Sequence, residues 1–102
     1  MSFAGKRVLV TGSSRGIGRA TARAFLAAGA RVAINGRTAE STAAGIAALG
    51  GDDLIAAPGD VGTVAGCDAV VGAALDAFGG IDILVNSAGV AKARPIETCD
   101  EA

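Results

Sequence analysis

Histidine, tyrosine and tryptophan are absent from this chain, and its only aromatic residues are three phenylalanines. Without histidine, imidazole acid–base catalysis and the usual zinc constellations fall away. The two cysteines, Cys67 and Cys99, stand too far apart for a CxxC redox pair. Their spacing leaves a structural disulfide open, but nothing else points to an oxidising compartment. A long apolar run is missing too. The longest stretch without a charged side chain is Ser41 to Gly51, far short of the roughly 18–20 residues that span a bilayer. Met1 to Arg7 carries charges and no apolar block, unlike a secretory signal. The expectation is a soluble, cytoplasmic protein with no membrane partner.

What is present is small and apolar. Of 102 residues, 24 are alanine and 16 glycine, and 51% are apolar, which excludes a disordered, solvating chain. The length suits one packed unit. The net charge of −1 conceals an asymmetry. Residues 1–37 hold seven bases (Lys6, Arg7, Arg15, Arg19, Arg23, Arg31, Arg37) and no acid. Residues 38–91 hold seven acids (Glu40, Asp52, Asp53, Asp60, Asp68, Asp76, Asp82) and no base. That balance argues against a nucleic-acid partner and fits a small anion held by the first third.

Short β-branched runs alternate with helical stretches. Lys6 to Thr11 reads as a buried strand, and a Gly/Ser loop follows it. Ile17, Ala20, Ala24, Phe25 and Ala28 then fall on one helical face, which is expected to pack inward, with Gly29 as the stop. Arg31 to Ile34 predicts a second strand. Thr38 caps a second helix with Ile46 and Leu49 inside, and Leu54 to Ala57 predicts a third strand. Thr63 caps a third helix whose Cys67, Val70, Val71, Ala74, Leu75 and Phe78 share a face. Ile81 to Asn86 predicts the fourth strand. Four strands joined by three helices are βαβ units, and right-handed crossovers give a doubly wound parallel sheet.

Between the first strand and first helix stands Thr11-Gly12-Ser13-Ser14-Arg15-Gly16-Ile17-Gly18. It lacks the Gly-Lys-Ser/Thr ending of a P-loop, and Thr21 replaces the third glycine of a GxGxxG fingerprint. The physics is the same: glycines allow close backbone approach, and a helix N-terminus offers free N–H groups to a pyrophosphate. With strand order 3-2-1-4, the loop and Asn86-Ser87-Ala88-Gly89 both leave the ends that line the switch-point crevice.

These residues resemble the short-chain dehydrogenases/reductases. TGSSRGIG is similar to that family's cofactor loop, Asn86 to Gly89 to its NNAG signature, and Asp60-Val61 to its adenine-contacting pair. The resemblance runs from Lys6 to Ala102. It implies a Rossmann-like domain, with residues 1–102 as its N-terminal, cofactor-binding part. It also implies cofactor contacts from Gly12, Ser13, Ser14, Arg15, Gly16, Ile17 and Gly18, with Asn86 bracing strands and Ala88 and Gly89 near the nicotinamide ribose. The loop is similar to that of 3-oxoacyl-(acyl-carrier-protein) reductases in particular, but it is too widely shared to select a substrate.

Where NAD-type members carry an acid, this chain has Gly36, followed by Arg37. Arg37 and Arg15 suit a 2′-phosphate, so NADP(H) is the expected cofactor. The family's catalytic tyrosine, with a lysine four residues on, has no counterpart here: there is no tyrosine, and neither Lys6 nor Lys92 matches that lysine. Ser87 belongs to the turn and is not the catalytic serine. The catalytic residues are therefore expected beyond Ala102, and the 102 residues alone are expected to be inactive. The resemblance implies a small carbonyl or alcohol substrate and a homo-oligomeric full-length form. A chain of another class, a non-catalytic NADP-binding module or partner subunit, stays open.

Overall fold

The computed structural model describes residues 2–87. Strand and helix alternate through β1 (Arg7–Thr11), α1 (Gly16–Ala27), β2 (Arg31–Ile34), α2 (Ala39–Leu49), β3 (Leu54–Ala56), α3 (Val64–Phe78) and β4 (Ile83–Asn86). All neighbouring strands pair in parallel in the order β3-β2-β1-β4. The doubly wound α/β sheet expected from the sequence is the fold. No helix among the described residues is long and apolar enough to cross a membrane.

Alternation along the strands divides the core in two. Val8, Val10, Val32 and Ile34 face Ala22, Phe25, Leu26, Ile46 and Leu49, so α1 and α2 cover one side of the sheet. Leu9 and Ala33 face Val70, Ala74 and Phe78, so α3 covers the other. Full burial of one such large aliphatic side chain is worth about 1.5–3 kcal/mol. Thr38 caps α2 by accepting from the Ser41 N–H, and the Thr38 N–H in turn donates to Ser41 Oγ. Thr63 caps α3 through the Gly66 N–H at 2.9 Å.

The inner face of α1 differs from the expected one. Ile17 is 82% exposed, Ala20 and Ala24 are exposed, and the buried residues are Gly18 and Ala22. In an alanine-rich helix apolar residues line several faces, so periodicity does not single one out. The smallest residues win because they let the helix axis come closest to sheet and loop. On α3, Leu75 likewise lies outward at 44% exposure, while Cys67, Val70, Ala74 and Phe78 are buried as expected.

The bottom of the sheet is tied by Arg7 and Asp82. The Arg7 main-chain N–H and Nε donate to Asp82 Oδ2 at 2.8 and 3.0 Å, and Nη2 donates to Oδ1 at 2.9 Å. This fork holds the start of β1 to the turn entering β4. It thereby helps set the register of the two strands whose far ends form the site (Thr11 beside Asn86).

Candidate functional site

β1 and β4 are neighbours although two helix-linked strands separate them in sequence, so strand order reverses between them. Crevices at such a point, outside the carboxyl ends, are where open α/β sheets bind ligands. Thr11 ends β1 and Asn86 ends β4. The Thr11 hydroxyl donates to Asn86 Oδ1 at 2.9 Å, the Ser87 N–H donates to the Thr11 hydroxyl at 3.1 Å, and the Ser87 hydroxyl donates to the Thr11 carbonyl at 2.7 Å. The glycine loop and the turn after β4 are thus one connected rim. Thr11 and Asn86, with Leu9, Val61, Val70 and Leu84, line a cleft of about 210 Å³ beside α3.

The glycine loop turns its two halves to different tasks. Ser13 is fully buried; its hydroxyl donates to the Val10 carbonyl at 2.6 Å and accepts from the Asn35 N–H at 2.8 Å. Its side chain is spent on the fold and does not face the crevice. Arg15, Gly16 and Ile17 are exposed, and Gly18 is buried against the loop. Helix α1 begins here with Arg15 in extended conformation, no side-chain cap and no acid in its first turn. Helices α2 and α3 both carry threonine caps. Open N–H groups at a helix N-terminus can take an anion, which supplies the missing acceptor and meets the positive end of the dipole.

Beyond β2 the chain is shaped by Gly36. A Cβ there would lie 2.6 Å from Ser41 Oγ and 2.9 Å from both the main-chain nitrogen and Oγ1 of Thr42. The start of α2 therefore closes this position to a side chain. Arg37 follows, its side chain 80% exposed, with Nε 4.0 Å from Asp60 Oδ2. So open an ion pair contributes little and leaves the guanidinium able to take another anion. Asp60 is itself held by its Oδ1, which accepts from the Gly62 N–H at 2.9 Å. The structure thus gathers Gly12, Ser14, Arg15, Gly16, Gly18, Arg37, Asp60, Val61 and Asn86 around the carboxyl ends of the strands. Ala88 and Gly89 lie outside the described residues, as do Lys92 and Cys99.

Two residues of this network were not among the site residues expected from the sequence, although Thr11 opens the TGSSRGIG run. Thr11 joins the rim through its hydroxyl, and Asn35 binds the loop from beneath. Asparagine ending a β-branched strand before a glycine is the one cue to the second.

A doubly wound sheet, a glycine loop opening an uncapped helix, and a rim at the switch point define a Rossmann-like architecture. Residues 6–102 match the short chain dehydrogenase family. Glucose 1-dehydrogenase of Gluconobacter oxydans is 41% identical over 98 residues, which are 93% of this chain and 37% of that protein. L-sorbose reductase of Gluconobacter frateurii, solved with NADPH and L-sorbose, superimposes with a TM-score of 0.82 at 37% identity, covering 94% of this chain and 38% of that one. The 3-ketoacyl-(acyl-carrier-protein) reductase of Brucella melitensis, solved with NADH, gives 0.74 at 37% identity, covering 81% and 34%. The chain belongs to the short-chain dehydrogenase family, and it spans less than half the length of these relatives.

Proposed function

We propose that this chain is the cofactor-binding, N-terminal part of a single Rossmann-like domain in an NADP(H)-dependent oxidoreductase. Its reaction is hydride transfer between the cofactor and a small carbonyl or alcohol. The bound nicotinamide supplies or accepts the hydride. The chain's own residues bind and orient the cofactor: the α1 N-terminus takes the pyrophosphate, and Asp60 and Val61 flank the adenine. Asn86 braces the β1–β4 rim, with Ala88 and Gly89 beyond it toward the nicotinamide ribose.

The observation that carries the cofactor choice is the end of β2. The position from which an acid would hold a free ribose 2′-OH is Gly36, closed by Ser41 and Thr42, and the next residue is an exposed arginine. A guanidinium binds a 2′-phosphate through charge-assisted hydrogen bonds and gains less from a hydroxyl. Arg15, exposed at the end of the loop, adds a second cation. The relatives include an L-sorbose reductase and a 3-ketoacyl-(acyl-carrier-protein) reductase, so the substrate class proposed is no narrower than carbonyl or alcohol.

Equilibrium titration of the intact protein carrying this chain tests the reading. NADPH should bind more tightly than NADH by on the order of 1–3 kcal/mol. Equal affinities would sink the cofactor choice. Tight NADPH binding without turnover on a panel of ketones and alcohols would favour a non-catalytic binding module instead.

A further inference from the structure

Asn35 follows β2 and is 2% exposed. Its main-chain carbonyl accepts from the N–H groups of Ser13 and Ser14 at 2.8 and 3.1 Å. Its side-chain Oδ1 accepts from the Gly12 N–H at 2.9 Å. The amides of Gly12, Ser13 and Ser14 therefore all end on one residue. On the other side, Nδ2 donates to the carbonyls of Ala57, Gly59 and Gly36 at 2.8, 3.1 and 3.2 Å. Gly36 leads directly to Arg37, and Gly59 leads to Asp60 and Val61.

We propose that Asn35 is the positioning residue of the dinucleotide site, its carboxamide holding three loops in one register: the glycine loop, the β2–α2 turn and the β3–α3 loop. The proposal rests on reading the crevice as an NADP(H) site. Asn35 lies beneath the loop and acts through it. By taking the amides of Gly12, Ser13 and Ser14, it leaves the N–H groups at the start of α1 as the ones turned to a ligand, with Arg37 and Asp60 fixed at the opposite side. The requirement is chemical. One end of the side chain must accept and the other must donate, at a length that spans loop to loop. Alanine does neither, and ionised aspartate accepts only. The β2–β3 ladder at Val32–Leu54, Ala33–Ile55 and Ile34–Ala56 is made by the main chain, as are the bonds from Ser13 and Ser14 to the Asn35 carbonyl, so loss of the carboxamide releases the Gly12 amide and the Gly36, Ala57 and Gly59 carbonyls and leaves the sheet.

The test uses the intact protein with Asn35→Ala and Asn35→Asp. Asn35→Ala should keep its circular dichroism spectrum and thermal transition above assay temperature, while the Kd for NADPH rises at least about tenfold, with kcat at saturation little changed. Amide exchange at Gly12 should quicken by a similar factor while the β1 and β2 amides hold. Asn35→Asp provides a pH profile that a purely structural role would not. Buried against three carbonyls, its carboxyl is pushed to the protonated form, which can donate again. The charged groups on the three loops are Arg15, Arg37 and Asp60, and all three reach solvent. The affinity ratio of variant to wild type should therefore recover as pH falls from 9 to 6.

Folded Asn35→Ala that binds NADPH within about twofold of wild type overturns the proposal, as does a pH-independent ratio for Asn35→Asp. Failure of both variants to fold makes Asn35 a core residue and also overturns it. A wild-type protein that binds no NADPH defeats the cofactor reading instead. Gly12 exchange then decides alone: quickened in Asn35→Ala, the loop clamp stands; unchanged, it falls.

Discussion

Gly18 packs its Cα directly on the Gly12 carbonyl. A Cβ at Gly18 would overlap that carbonyl oxygen, lie 2.7 Å from its carbon and 2.9 Å from Ser87 Oγ. This glycine is required by the fold before any ligand arrives, because α1 can only start where it does if nothing projects toward the loop. Gly16 is different. It has φ +62° and open space where a Cβ would point, so a side chain there meets backbone strain and, with the proposed cofactor bound, the cofactor's volume.

The two glycines should separate in experiment. Gly18→Val is expected to lose the folded state, seen as an absent or sharply lowered thermal transition. Gly16→Val should remain folded, destabilised by the roughly 1–2 kcal/mol of a left-handed non-glycine residue, and lose NADPH binding. A Gly18→Val protein that melts like wild type would contradict the packing argument. Native NADPH affinity in Gly16→Val would contradict the site.

Arg37→Asp should invert the cofactor preference. It removes a cation worth on the order of 1–3 kcal/mol to a 2′-phosphate and sets an acid there to accept from a 2′-OH. Paired NADPH and NADH titrations read the result, and an unchanged ratio refutes the role of Arg37.

Gly36→Asp, by contrast, should fail as a route to NADH. The new Cβ would press on Ser41 and Thr42, and Thr42 is a buried hinge of the turn. Its Oγ1 accepts from the Gly36 N–H at 2.9 Å and donates to the Thr38 carbonyl at 2.7 Å. Thr42→Val, similar in shape, should cost about 1–3 kcal/mol by stranding that buried N–H, and Thr42→Ser much less. Denaturant midpoints compare them. Equal losses for the two would mean that shape and not the hydroxyl matters.

Acid should weaken the Arg7–Asp82 fork. The hydrogen bond from the Arg7 side chain, with that from its main chain, holds the Asp82 carboxyl well below the usual carboxylate range. A folded-state value lowered in this way contributes stability above the unfolded value near 4 and loses it as pH falls further. Asp82→Asn should therefore destabilise at pH 7 and flatten the acid limb of the stability curve. A limb identical to wild type would remove Asp82 from the account.

Strand and helix order, the parallel sheet, the threonine caps and the glycine loop were legible in the sequence because each rests on local chemistry. A β-branched run, a capping hydroxyl or a loop glycine acts within a few residues of itself. The direction of α1 was not legible. Ile17, Ala20 and Ala24 satisfy a helical period as well as Gly18 and Ala22 do, and only contact with the loop at Gly12 and with the sheet selects between them. Ser13 shows the same limit: the motif places it in the cofactor loop, yet its hydroxyl is consumed by Val10 and Asn35.

The sequence alone determined which residues could meet an anion, since charge and glycine spacing are properties of the chain. Tertiary structure decided which of them stand open at the strand ends and what holds them there. Asn35 is 23 residues from Gly12 and 24 from Gly59 and bonds to both, and Gly36 is closed by a helix that begins after it. Such links arise only when the strand ends come side by side, where hydrogen-bond range, and not sequence distance, chooses the partners.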